Sequence, residues 1–247
     1  MEIFSTESEG WLTNAYLIDD NAGTGVLIDG NGVGEPLLRI VKERDLRLAA
    51  LLLTHHHADH LMLDAYGDLD VPIFAHELTA RQVGDLAINR TLSDGEHLEF
   101  GQLKIETMHT PGHANGHLAF LVDGTDVFTA DVLFAGTVGG TRAPGATGID
   151  DLRSSLRRLA SLPPETRVHP GHRAATTIAR ELEENIFLRA LLNDDQIPEG
   201  EPCTVAGEPA TLLLWGPDYD GTNKAWVRMA DGTEHITGGS QVQRSRS

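Results

Sequence analysis

Residues 53–63 read Leu53-Thr54-His55-His56-His57-Ala58-Asp59-His60-Leu61-Met62-Leu63, and they follow the apolar run Leu48-Ala49-Ala50-Leu51-Leu52 without a break. Imidazole nitrogen and carboxylate oxygen are the ligands that a borderline cation such as zinc takes. Where a buried strand gives way to an extended loop, alternation aims His55 and His57 to one side and His56 to the other. Asp59 and His60 are neighbours, and at a helix start their side chains diverge by about 100°. The segment can therefore offer two ligands to one cation and two to a second cation close by. A loop merely rich in histidine is the bland alternative. With 12 histidines in 247 residues, chance would give this pattern on the order of once in several hundred such chains.

Three further segments end on metal-competent side chains. His113 stands in the tight turn Thr110-Pro111-Gly112-His113, with His117 closing the stretch. Asp131 ends the apolar strand Val127-Phe128-Thr129-Ala130, and His172 follows Val168-His169-Pro170-Gly171. Strand ends that converge at one rim are how α/β scaffolds assemble sites. His76, His97 and His235 read as surface or turn residues. Asp126, Asp150 and Asp151 read as turn or helix-start carboxylates.

Around these segments the chain alternates strands and helices. Ala15–Ile18 and Gly25–Ile28 are expected strands, Pro36–Arg44 is a helix by its apolar spacing, and Asp59–Tyr66 reads as helical. A β-rich block runs from His97 to Ala130. Asp150 is expected to cap a helix over 151–160, and one long amphipathic helix is expected over about 174–192. Strands then helices, twice over, predict a two-sheet core with helices outside. From Asn193 the stretch NDDQIPEGEP reads as a linker to a small β unit, with Asp220-Gly221 and Asp231-Gly232 at its hairpin turns. The expected division is 1–192 for the main domain and 193–247 for linker and β unit. Cutting near Asn193 is expected to leave a folded core unless the β unit covers the rim of the site or joins two copies of the chain.

Composition narrows the partners. The chain carries 19 basic against 37 acidic residues, a formal net charge of −18, and lysine only at Lys42, Lys104 and Lys224. Such a surface repels phosphate backbones and argues against nucleic acid as a partner. No run approaches the roughly 18 apolar residues of a membrane span, and the acidic start MEIFSTESEG shows no secretory signal. One cysteine, Cys203, excludes an internal disulfide. The expected location is cytoplasmic. The expected partners are a small-molecule substrate and, through the β unit, a second copy of the chain as homo-oligomer.

THHHADH, TPGHANGH, FTADVLF and HPGH, in this order, resemble the metallo-β-lactamase fold superfamily and within it the hydroxyacylglutathione hydrolase (glyoxalase II)-like branch, over roughly residues 10–192. The resemblance implies an α/β fold, an αββα sandwich with a dinuclear site at one edge, here with the small C-terminal β unit added. It implies that His55, His57 and His113 hold a first divalent ion and Asp59, His60 and His172 a second, with Asp131 bridging. Zinc is the expected metal, with iron as the alternative. Asp29, in Leu27-Ile28-Asp29-Gly30, resembles the family's strand-end aspartate and would support the ligands from behind, unless it only forms an Asp-Gly turn. His117 would likewise support them.

The implied chemistry is hydrolysis. Two ions sharing a water lower its pKa towards neutrality, the resulting hydroxide attacks a carbonyl, and a metal stabilises the oxyanion. Asp59 and Asp131 are the catalytic candidates. In glutathione-thioester hydrolases the loop after Asp131 offers basic and aromatic side chains, whereas here Val132–Arg142 offers only Arg142 as a substrate-binding candidate. The family's C-terminal helical domain is replaced by the β unit, and both departures speak against glutathione as the thiol. The leading expectation is a hydrolase of a thioester or related small ester or lactone. A mononuclear iron persulfide dioxygenase of the same branch, using the positions of His55, His113 and Asp131, comes second, and a non-catalytic metal-stabilised module third. A β-lactamase and a nuclease are disfavoured by the missing signal and the acidic balance.

Overall fold

The computed structural model describes residues 1–67, 70–193 and 199–244, so the expected linker lies partly outside the described residues, at 194–198. The strands Asn14–Asp19, Thr24–Ile28 and Arg47–Leu52 are apolar at successive positions because both of their faces are covered. Leu17, Leu27 and Leu51 face outward to Leu37 of the helix Glu35–Glu43. Ile18, Val26, Ile28, Ala50 and Leu52 face inward, to Ile105, Leu118, Phe120 and Phe128 of a second sheet. On that sheet's far side Met108, Ala119, Val127 and Val168 meet Leu152, Leu156 and Leu159 of the helix Ile149–Ala160, with Phe187, Leu188 and Leu191 of the helix Ile186–Leu192. The result is four layers, αββα, as expected.

The first sheet runs in the order Glu2–Glu7, Asn14–Asp19, Thr24–Ile28, Arg47–Leu52, Ile73–His76, Arg90–Leu92, antiparallel across its first three strands and parallel beyond. The second runs Thr176–Thr177, Arg167–Pro170, Asp126–Ala130, Leu118–Val122, Leu103–His109, His97–Phe100, with one parallel pair between Asp126–Ala130 and Arg167–Pro170. The ends of Arg47–Leu52, Leu103–His109, Asp126–Ala130 and Arg167–Pro170 meet at one edge. Leu118 N–H donates to the Thr54 carbonyl, and Asn14 N–H to that of Gly171, tying the two sheets together there.

Three local expectations change. Asp59–Tyr66 is not one helix but two 3₁₀ turns, Ala58–His60 and Leu63–Tyr66, separated by Leu61–Met62, which pairs in parallel with Gly30–Asn31. That pairing holds the loop against Asp29, and a Cβ at Gly30 would lie 2.4 Å from Leu63 Cδ2, so that side chain would have to move to admit one. The long helix is split at Asn185 into Ile178–Glu184 and Ile186–Leu192. The buried Asn185 side chain accepts from Leu188 N–H and donates to the Thr137 carbonyl and Glu181, and these bonds compete with continued helix. Gly148, not Asp150, stands at the N-cap of Ile149–Ala160. Asp150 lies in the first turn and pairs with Arg153.

Beyond residue 199 five antiparallel strands form a third sheet, ordered Glu234–Gly238, Asn223–Met229, Glu208–Pro217, Glu201–Val205, Val242–Arg244. One face has its own small core, with Cys203, Val205, Leu212, Ala225 and Val227. The other contributes Leu213, Trp226 and Ile236 to the cluster that holds Leu152 and Phe187. The C-terminal sheet thus has a core of its own on one face and shares one with the sandwich on the other. No helix among the described residues is long and apolar enough to cross a membrane.

Candidate metal centre

At the edge where the strands end, three trios of donor atoms lie within 4.8 Å of one another: His55, His57 and His113; His55, His60 and Asp131; Asp59, His60 and His172. All seven side chains singled out as ligands are therefore brought together. Asp131 lies between the groups, Oδ1 at 3.2 Å from His60 Nε2 and Oδ2 at 3.3 Å from His172 Nε2 and 3.5 Å from His113 Nε2.

The backbone delivers these groups by local distortion. Asp126–Ala130 pairs with Arg167–Pro170 through a register shift, and Ala130 takes φ +37°, which swings Asp131 off the end of the strand. Gly171 lets the turn pass close by, since a Cβ there would sit 2.2 Å from Asp131 Oδ1. Asp29 takes φ +57° at its own strand end, so it is both an Asp-Gly turn and a supporting carboxylate.

Each ligand histidine has its other nitrogen engaged. His60 Nδ1 donates to Asp29 Oδ2 at 2.8 Å. The Thr54 hydroxyl donates to Asp29 (2.7 Å) and so is left to accept from His55 Nδ1 at 3.0 Å. His57 Nε2 donates to the Pro144 carbonyl (3.0 Å), His113 Nδ1 to that of Gly140 (2.8 Å), and His172 Nδ1 to that of Trp11 (3.0 Å). Assigning protons to these bonds fixes every tautomer. The free lone pairs then belong to Nε2 of His55, His60, His113 and His172 and to Nδ1 of His57, and these atoms converge. His57 Nδ1 lies 3.0 Å from His55 Nε2 and 2.9 Å from His113 Nε2 with no proton left to share.

A cation fits this arrangement. His60 Nε2 and Asp131 Oδ1 are buried without a hydrogen-bond partner, a costly state unless something positive sits between such groups. Burial pushes His113 down to about 4, against the pull of Asp131, and lowers His55 as well, leaving neutral imidazoles as metal binding requires. Burial also opposes a proton on His60, but Asp131 and Asp29 outweigh it and raise that pKa well above the usual imidazole range. The field that favours a proton there favours any cation.

The remaining candidates fall around this centre. Buried His117 accepts from Asp131 N–H at Nε2 (3.3 Å) and meets the Thr110 hydroxyl at Nδ1 (2.8 Å), so it braces the strand end. Asp59 Oδ2 takes the Thr13 hydroxyl at 2.8 Å and faces His60 and His172. His56 turns away to the Pro144 carbonyl. His169 turns to Asp126 at 2.8 Å. His76 is no bystander: it caps the helix Glu77–Ala80 and stacks on His109, with centroids 4.5 Å apart. Arg142 is exposed and lines a groove against the C-terminal sheet with Glu208, Met229 and His235, a groove lined by none of the seven ligand residues. Sequence reading missed Thr13, Thr54 and the carbonyls of Trp11, Gly140 and Pro144. Thr54 alone carried a signal, as the residue between the strand and His55.

The model of the metallo-beta-lactamase superfamily matches residues 9–172 and stops short of the C-terminal sheet. The hydroxyacylglutathione hydrolase GloC of Haemophilus influenzae is 33% identical over 198 residues, 72% of this chain and 93% of that protein. Among solved structures, ETHE1 from Myxococcus xanthus has a TM-score of 0.67 at 29% identity, covering 79% of this chain and 92% of its own. TTHA1623 in a di-iron-bound form has a TM-score of 0.64 at 39% identity, covering 74% and 99%. With its sandwich and its His/Asp metal-binding cluster, the chain belongs to the metallo-beta-lactamase superfamily, in the glyoxalase II-like branch.

Proposed function

We propose that the chain is a dinuclear metal-dependent hydrolase of a thioester or a related small ester or lactone, with zinc as its metal. The observation that carries this reading is the set of five imidazoles, each tied at one nitrogen, whose free lone pairs converge on two carboxylates. His55, His57 and His113 would hold one ion, Asp59, His60 and His172 the other, and Asp131 both. Divalent ions held there supply an acidified water and a Lewis acid for a carbonyl oxygen.

The chain's own residues do the rest. Asp59 Oδ2 faces the ligand nitrogens and is fixed by Thr13, while Oδ1, without a hydrogen bond among the described residues, is available for the proton the attacking water loses. His117 and Gly171 hold Asp131 in place from behind. A substrate contact through Arg142 requires a substrate long enough to reach the groove that residue lines. Similarity to a hydroxyacylglutathione hydrolase supports the thioester class. The proposed setting is the cytoplasm.

The likeness to ETHE1 and the di-iron state of TTHA1623 favour iron as the second reading. On it, one iron at His55, His113 and Asp131 would serve oxygenation of a persulfide. Metal analysis of protein purified without added metal, alongside thioester hydrolysis and oxygen uptake, separates the two. Two zinc ions per chain with thioester turnover is the expected result. One iron per chain with oxygen uptake on a persulfide would replace it, and bound metal without either turnover would leave a binding module.

A further inference from the structure

The C-terminal sheet reaches His172 of the centre at one of its turns. Glu208–Pro217 and Asn223–Met229 are joined through 218–222, and Tyr219 on this turn lays its ring on the His172 imidazole, with centroids 4.3 Å and planes 12° apart. Phe134, three residues past Asp131, packs on the same tyrosine at 5.0 Å. The turn is anchored more firmly than a hairpin needs. Buried Lys224 donates to the Val138 carbonyl at 2.7 Å and pairs with Asp218 at 2.9 Å. Its ammonium lies 5.3 Å from the rings of both Phe134 and Tyr219. Arg173 Nε donates to the Tyr219 carbonyl at 3.4 Å.

His172 needs such support. Its bond to the Trp11 carbonyl sets where Nδ1 points, but a single bond at the ring's edge leaves the ring free to tilt about it. A flat aromatic face against the imidazole restrains the remaining tilt. We infer that Tyr219 is a positioning residue for His172, and through it for the second of the two proposed metal positions. The appended sheet is then a working part of the centre. The inference rests on the dinuclear reading above.

Zinc affinity of the full chain, stripped by a chelator and titrated in competition with a chromogenic indicator, tests this without any substrate. The wild-type chain should bind two ions; a single ion would overturn the dinuclear reading and this inference with it. Tyr219→Ala should weaken one of the two ions by about 10–100-fold, the usual effect of losing a partner that orients a ligand, and leave the other unchanged. Tyr219→Phe keeps the ring and should bind both ions as wild type does. Wild-type affinity at both positions in Tyr219→Ala would overturn the inference while the dinuclear reading stands. Equal weakening of both ions, or an equal loss in Tyr219→Phe, would overturn it too. Should Tyr219→Ala not fold, Tyr219→Leu, which has bulk but no planar face, takes its place under the same criteria.

Discussion

The rear nitrogen of His60 meets a carboxylate, whereas those of His57, His113 and His172 meet backbone carbonyls, so only His60 owes its basicity to a charged partner that substitution can neutralise. Asp29→Asn keeps the shape and removes the charge. It should cost about 10–100-fold in metal affinity, read by competition titration, and an unchanged affinity would deny Asp29 its supporting role. Asp131→Asn strikes the group between the trios and should lose more turnover than that while keeping more metal than activity; wild-type turnover would refute the bridge. His172→Ala should bind about one ion per chain and be nearly inactive, and His169→Ala should bind two. The reverse counts would exchange the two assignments. His169 and His172 could be told apart in the sequence because Pro170-Gly171 ends the strand between them. Thr13 and the Trp11 carbonyl could not, because their contacts are set by sheet packing across more than 40 and more than 150 residues.

At the scale of elements, the parallel pair Asp126–Ala130 and Arg167–Pro170 carries Asp131 and leads to His172, and an ion pair on the buried Asp126 holds its far end. Asp126 accepts from Arg167 at 2.6 and 2.8 Å and from His169 at 2.8 Å. Burial works against its charge, but the bonds to His169 and Arg167 outweigh this and hold its pKa well below the usual carboxylate range. A folded-state pKa below the unfolded one stabilises the fold above about pH 4, and that contribution fades as pH falls through the folded value. Asp126→Asn should therefore lower the denaturation midpoint at neutral pH, and the gap to wild type should narrow steadily below about pH 4. A gap independent of pH would assign the loss to packing. The sheets were legible because apolar runs and strand-end residues announce them. The two 3₁₀ turns after His57 and the break at Asn185 were not, since each depends on a partner remote in sequence, Gly30–Asn31 in one case and Thr137 in the other.

For the molecule as a whole, the shared cluster decides what the C-terminal sheet is for. Removing everything after residue 193 strips Leu213, Trp226 and Ile236 from the face of Leu152 and Phe187. Loss of one such aromatic side chain from a core typically costs about 3–5 kcal/mol, a large share of the stability of an ordinary domain. The truncated chain should be insoluble or melt far below the full chain, contrary to the separable core expected from the sequence. Soluble, metal-loaded material from the truncated gene would restore that expectation. The same sheet keeps the chain's only thiol out of reach. Cys203 is 5% exposed in the sheet's own core, and burial raises its pKa, so little thiolate forms. An enzyme that cleaves thioesters, on the function proposed here, thus offers its substrate no thiolate of its own: the acyl group can pass to water without first being diverted onto a cysteine sulfur.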